Sequence, residues 1–119
     1  MIPPSPYFKE EEFYCPCCEM AAMQEDFLEA IYKLRAETGI PMRITSGFRC
    51  KRENTRINGS KNSYHVRGRA LDWDVTMLSS NDIYELIYDV QRYGLSIIYY
   101  PNRGFMHLDN RKTPIFLVL

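Results

Sequence analysis

The chain has 119 residues, about the size of one domain, with 45% hydrophobic and 25% charged residues. This composition excludes a disordered tail and a collagen-like repeat. The 15 Lys and Arg residues balance the 15 Asp and Glu residues, which argues against a broadly basic nucleic-acid-binding protein. No apolar run approaches the ~20 residues that cross a bilayer. We therefore expect one domain over residues 1–119, with no membrane span and no nucleic-acid partner.

The first residues predict an extended arm. Residues 1–8 contain three prolines, and we assign residues 1–22 to an arm that also carries three cysteines. The start has neither the basic region nor the apolar stretch of a secretory signal, so no signal peptide is predicted.

Four cysteines form a candidate second site: Cys15, Cys17, Cys18 and Cys50. Without an export signal, a disulfide framework is not the default. The group could bind a structural metal or form a bridge to Cys50, although its spacing is not the paired Cys-x-x-Cys of a zinc finger. Plain buried thiols are the alternative. A zinc-ribbon-like nucleic-acid binder is a further hypothesis, disfavoured by the zero net charge and the irregular spacing.

The first half of the chain predicts a helix followed by a short strand. Apolar residues at helical spacing predict a helix over 24–38, which Gly39 ends. Residues 42–45 predict a strand. The polar stretch 51–62 predicts a loop or a short helix.

The second half predicts a strand, a helix and a hairpin. Residues 69–75 alternate between apolar and polar, as in a half-buried strand. A helix over 81–93 begins at a serine N-cap, Ser79 or Ser80. Strands over 95–100 and 105–109 follow, and 114–119 is a last apolar segment. The order predicts an α+β domain whose small antiparallel sheet has helices packed on one face.

Two histidines and one aspartate carry the candidate chemistry. Asp72 lies on the polar face of its predicted strand, and His107 lies on the polar face of another. If these strands pair with their apolar faces together, both side chains project into one cleft, and His65 can reach it from a loop. Two imidazoles and a carboxylate form a three-ligand zinc set with an open fourth position, which is typical of catalytic zinc. The alternative is a solvated carboxylate with two structural histidines.

Three segments together resemble the zinc D-alanyl-D-alanine carboxypeptidase family, which shares its fold with the hedgehog signalling domain. They are Ser63-x-His65-x-x-Gly68-x-Ala70-x-Asp72, Met106-His107-Leu108-Asp109, and Thr45-Ser46-Gly47-Phe48-Arg49-Cys50. In addition, Phe13-Tyr14-Cys15 resembles the cysteine-bearing arm of small phage-type members. The resemblance extends over residues 8–111.

The resemblance implies specific roles for five residues. His65, Asp72 and His107 match the ligands of one catalytic zinc ion. Arg49 matches the arginine that contacts a substrate carbonyl or carboxylate, a role that suits a guanidinium. Ser63 is expected to orient His65 or to contact the substrate through its hydroxyl group.

The chain departs from the family pattern at the acid/base residue. Family members carry a Glu, Asp or His a few positions before the last zinc histidine, whereas residues 99–106 contain none of these. Asp109 is the nearest remaining carboxylate, and we assign it as the base. Its alternative role is to form a hydrogen bond with a metal ligand and orient that ligand. Asp74 is the next candidate base, and Tyr99 or Tyr100 could donate a proton.

The resemblance implies a zinc metallopeptidase that hydrolyses amide bonds in peptidoglycan stem peptides. The cut bond would be D-Ala-D-Ala or the L/D cross-linking peptide. Such a protein would act at the bacterial cell wall. We expect it to be phage-encoded and located in the virion or the host cytoplasm; a bacterial protein with an export route not visible in the sequence is the alternative. The alternative is a non-catalytic virion module that keeps the fold and the metal site and docks on other virion proteins.

Overall fold

The computed structural model describes residues 2–119; Met1, the first residue of the predicted arm, lies outside them. The helices are a short 3-10 helix (Glu10–Phe13), α1 (Glu25–Thr38), α2 (Lys51–Arg56) and α3 (Ser80–Arg92). The strands are β1 (Arg43–Ser46), β2 (Ala70–Asp74), β3 (Ser96–Tyr100), β4 (Phe105–Asp109) and β5 (Phe116–Val118). The predicted α+β class is confirmed. No helix of residues 2–119 is both long and apolar enough to cross a membrane.

The five strands form one sheet in the order β1-β2-β4-β3-β5. The first four strands pair antiparallel, as predicted, but β5 pairs parallel with β3. The sheet is therefore mixed rather than purely antiparallel. The chain leaves β4 and returns to the free edge of β3, where the Ile115 amide donates to Ser96 Oγ at 2.9 Å.

One face of the sheet packs against the two long helices. Leu71 and Trp73 of β2 and Met106 and Leu108 of β4 are fully buried there. The apolar stripes of α1 and α3 cover them, with these residues buried: Phe27, Leu28, Ile31, Leu34, Ile83, Leu86 and Val90. The alternation predicted for β2 is confirmed, because its polar residues lie on the opposite face.

The arm is part of the core rather than simply extended. Phe8, Phe13 and Cys15 are buried, and Phe8 stacks on Tyr32 of α1 with ring centroids 5.7 Å apart. The Tyr32 hydroxyl donates to the carbonyl oxygen of Pro3 at 2.7 Å. The sequence does not reveal this packing, because only a few apolar residues of the arm make the contacts and they follow no helical or strand periodicity.

The close approach of the arm to the turn before β2 gives a stability prediction. Gly68 has φ +69°, and an added Cβ would collide with the carbonyl oxygen of Ala22. Gly94 has φ +73° but nothing within 4 Å of an added Cβ. We expect Gly94→Ala to cost about 1 kcal/mol, from the left-handed backbone alone. Gly68→Ala should cost about 3 kcal/mol or more, because the Ala22 backbone must also move. Urea denaturation of both variants measures the difference, and equal costs would contradict the close approach.

Candidate active site

The turn that precedes β2 holds His65 in a single orientation. The His65 backbone amide donates to Ser63 Oγ at 3.2 Å, and its carbonyl accepts from the Arg49 amide at 3.2 Å. The His65 ring is 2% exposed, and its Nδ1 lies 2.8 Å from the carbonyl oxygen of Gly47. A carbonyl only accepts, so Nδ1 carries the proton and Nε2 presents its lone pair. Nε2 faces Asp72 Oδ1 at 3.2 Å.

His107 on β4 is oriented by a buried carboxylate behind it. Its Nε2 donates to Asp109 Oδ2 at 2.8 Å, which leaves the lone pair on Nδ1. Nδ1 lies 3.1 Å from Asp72 Oδ1. Arg111 completes the arrangement, because its Nε donates to Asp109 Oδ1 at 2.9 Å and its Nη2 donates to Oδ2 at 2.6 Å.

Three electron-rich atoms therefore converge: His65 Nε2, His107 Nδ1 and Asp72 Oδ1, which lie within 4.8 Å of one another. Asp72 and His107 are direct partners in the antiparallel register of β2 and β4. Two lone pairs aimed at a carboxylate repel unless a proton or a cation lies between them. The donor set of two imidazoles and one carboxylate suits zinc. The residues thus fit a metal ion, as the sequence predicts.

The pKa values reflect this concentration of charge. Burial by itself would raise the pKa of Asp72, but the neighbouring His107 and His65, whenever their facing nitrogens carry a proton, hold it well below its usual range. Burial would lower the pKa of His107, yet Asp109 and Asp72 outweigh it, and the net shift is upward. The site therefore favours an anionic Asp72 and attracts positive charge.

Arg49 lies beside the histidines and retains unused donor capacity. Its Nη2 donates to Ser63 Oγ at 3.4 Å, so Ser63 contacts both Arg49 and the His65 backbone. The buried Arg49 Nε makes no hydrogen bond with any described residue. An unpartnered buried donor costs free energy unless a ligand satisfies it. The Arg49 guanidinium also lines the cleft, where it can contact an oxygen atom that enters.

These residues line a cleft of about 620 Å³. Three arginines face it: Arg49, Arg67 and Arg111. The Tyr64 ring lies between two of them, with Arg67 5.3 Å and Arg111 4.8 Å from the ring centroid. Asp72 is the one carboxylate that lines the cleft among residues 2–119. The cleft therefore has positively charged arginines at its rim and a negatively charged aspartate at its centre.

Asp109 does not lie where a base is needed. It is fully buried, and both of its oxygens are occupied by His107 and Arg111. This placement argues against Asp109 as the base and favours its alternative role as the hydrogen-bond partner of a metal ligand. Asp74 also does not line the cleft. Its Oδ1 instead accepts a hydrogen bond from the Thr76 amide at 2.9 Å.

Sequence reasoning missed Arg67, Arg111 and Tyr64. Of the basic residues between positions 49 and 61, only Arg49 lines the cleft, while Lys51 and Lys61 line a neighbouring groove. Tyr64 and Arg67 lie within the motif that contains His65, and Arg111 lies two residues after the motif that contains His107. Their proximity to the histidines in the sequence was the available signal. Of the two tyrosines considered as proton donors, Tyr100 lines the cleft, whereas Tyr99 packs against the core.

The sequence matches the family model described as peptidase M15 over residues 6–109. That match covers most of the chain and contains all three converging side chains. The chain therefore belongs to the peptidase M15 family, a zinc D-Ala-D-Ala peptidase-type family.

The chain is also similar to curated bacterial proteins. It is 24% identical over 98 residues to the peptidoglycan L,D-endopeptidase MepK of Escherichia coli K12, covering 76% of this chain and 53% of that protein. The MepK of Shigella flexneri gives the same identity and coverage. The chain thus spans about half the length of the curated relatives that it matches.

The hydrogen bond from His107 to Asp109 gives a metal-affinity prediction. Asp109→Asn removes the charge that holds Nε2 protonated, and we expect zinc affinity to fall about 10- to 100-fold. Competition with a coloured chelator measures this affinity. Asp74→Asn is the matched control, because Asp74 is on the same face of the sheet but outside the cleft, and it should leave zinc affinity unchanged. Equal affinities in all three proteins would contradict the role given to Asp109.

Proposed function

We propose that the protein is a zinc-dependent peptidase that hydrolyses amide bonds of peptidoglycan stem peptides. The observation that carries this proposal is the convergence of His65 Nε2, His107 Nδ1 and Asp72 Oδ1 in a cationic cleft. Membership of the peptidase M15 family and the similarity to MepK support the reaction and the substrate class.

His65, Asp72 and His107 would hold the zinc ion. When bound, zinc supplies a water of lowered pKa and polarises the scissile carbonyl. Gly47 and Asp109 keep the two imidazoles in the tautomers that leave the facing nitrogens free. Arg49, whose guanidinium lines the cleft, would contact the carbonyl oxygen as negative charge develops on it. Arg67 and Arg111 attract the carboxylates of the peptide to the rim.

The proton transfers require a group other than Asp109. Hydrolysis moves a proton from water to the leaving amine. Besides Asp72 and His107, the ionisable groups that line the cleft are its arginines, His65 and the phenols of Tyr64 and Tyr100. Tyr100 stacks on Phe105 with centroids 4.5 Å apart, which fixes the direction of its ring. Its hydroxyl is our candidate donor to the leaving amine, and the phenolate so formed takes up the proton released by the attacking water, which restores the tyrosine.

The lack of a second carboxylate in the cleft favours one alternative. A protein that keeps the metal site without an efficient base would be a binding module for cell-wall peptides. In that case a virion location, as the sequence analysis predicts for a phage-encoded protein, would place the module against the wall or against a neighbouring virion protein. Turnover separates the two functions.

The test is release of new amino groups from purified peptidoglycan by the zinc-loaded protein. We expect release by the wild type and at least a 100-fold loss in His107→Ala, because one metal ligand is removed. Mass spectrometry of the products distinguishes loss of terminal D-Ala from opening of L/D cross-links. Zinc bound by the wild type without any release would contradict the peptidase and favour the binding module.

Arg49→Lys separates positioning of the substrate from binding of zinc. Lysine keeps the charge but lacks the fork of a guanidinium, so we expect turnover to fall at least tenfold while zinc content stays unchanged. Lys51→Arg is the control, because Lys51 lies in the neighbouring groove. Turnover unchanged in Arg49→Lys would contradict the role given to Arg49.

A further inference from the structure

The four cysteines converge at one point and form a second cluster of potential metal ligands. This cluster shares no residue with the histidine site, and its ligand atoms are sulfurs. The Sγ atoms of Cys15, Cys17, Cys18 and Cys50 all lie within 4.8 Å of one another. Cys50 is 35 residues from Cys15 along the chain, yet their sulfurs are 3.6 Å apart. The fold therefore assembles four thiols from two distant segments.

A tight turn explains how neighbouring cysteines reach the same point. The Cys15 amide donates to the Met20 carbonyl at 2.8 Å, and the Glu19 amide donates to the Cys15 carbonyl at 2.9 Å. Glu19 has φ +53°, which is uncommon for a residue other than glycine. Adjacent cysteines in an extended chain point in different directions, and this turn brings Cys17 and Cys18 together instead.

The distances suit a tetrahedral thiolate site. Zinc–sulfur bonds of about 2.3 Å in a tetrahedron separate the sulfurs by about 3.8 Å. The Cys15 sulfur lies 3.8 Å from that of Cys17 and 3.6 Å from that of Cys50, close to this spacing. The Cys17 and Cys50 sulfurs are 3.0 Å apart and would move apart on binding the ion. Cys15 is buried while Cys17 is exposed, so the cluster is anchored in the core and open to solvent at one side.

Hydrogen-bond donors around the cluster favour the thiolate form. The Cys50 amide donates to Cys15 Sγ, and the Glu53 amide donates to Cys50 Sγ, both at 3.4 Å. Arg52 Nη2 lies 3.9 Å from Cys17 Sγ. Donors in these positions would stabilise sulfurs that carry negative charge when they bind a cation.

We propose that Cys15, Cys17, Cys18 and Cys50 bind a second, structural zinc ion. A closed set of four protein ligands is typical of structural zinc, whereas the three-ligand histidine site is open. A disulfide would use only two of the four thiols and would not account for the convergence of all four.

The proposed ion would pin the arm to the loop that carries Arg49. Cys50 directly follows Arg49, and the Phe48 amide donates to the Phe13 carbonyl at 3.1 Å. Gly47, whose carbonyl orients His65, is so close to Phe13 that an added Cβ would lie 2.7 Å from the Phe13 Cα. Binding in the folded state alone also stabilises the fold. The cysteine site thus supports the histidine site through the backbone of residues 47–50.

The test is cobalt(II) titration of the full chain, freed of metal and kept reduced. Tetrahedral cobalt thiolates absorb strongly in the near ultraviolet through sulfur-to-metal charge transfer, which imidazole and carboxylate ligands do not produce. We expect this band in the wild type and in His107→Ala. We expect it to be lost in a Cys17→Ser/Cys50→Ser double variant. Zinc content should be about two ions per chain in the wild type and about one in each variant.

Three results would overturn the proposal. They are no charge-transfer band in the reduced wild type, unchanged zinc content in the double variant, or metal-free protein with a disulfide among the four cysteines after isolation without reductant. If the double variant does not fold, the spectra of the wild type and His107→Ala decide the question alone. No readout depends on peptidase activity, so this site and the proposed function can fail independently.

Discussion

The antiparallel register of β2 against β4 is the constraint on which the site depends. It sets Asp72 directly opposite His107 on the polar face, while Trp73 and Met106 are paired on the face that the helices cover. Side chains alternate along a strand, so a slip of one residue would turn the ligands into the core. Burial of the apolar partners therefore fixes the position of the two polar ones. The free energy of packing on one face holds the chemistry on the other.

The remaining ligand comes from outside the sheet and needs a different kind of support. His65 lies in a turn, and backbone groups rather than core packing fix it: the Gly47 carbonyl binds its ring, and the Arg49 amide binds its own carbonyl. Those groups are held in turn by the arm at Phe13. An arm that looks dispensable in the sequence is thereby coupled to the orientation of a metal ligand.

The sequence predicted most of the fold because periodicity and alternation report burial directly. The stripes of α1 and α3 and the alternation of β2 follow from that signal alone. It also places Asp72 and His107 on polar strand faces, but that they share one cleft follows only if their strands pair. It could not predict the parallel pairing of β5, which depends on where the chain returns after β4. Nor could it decide between the two roles considered for Asp109, because a position two residues after His107 fits both a general base and a hydrogen-bond partner of the His107 ring. The choice depends on Arg111 and on burial, which are tertiary facts. The convergence of the cysteines likewise depends on a turn at Glu19 that no propensity favours.

The measurement that tests the central claim most directly is anomalous diffraction at the zinc edge from crystals of the zinc-loaded protein. The account predicts a peak enclosed by His65 Nε2, Asp72 Oδ1 and His107 Nδ1, with Asp109 still bonded to His107 Nε2. No peak between these atoms, or a peak on the Nε2 side of His107, would contradict it. The first result would remove the metal site, and the second would reverse the tautomers from which its chemistry is derived.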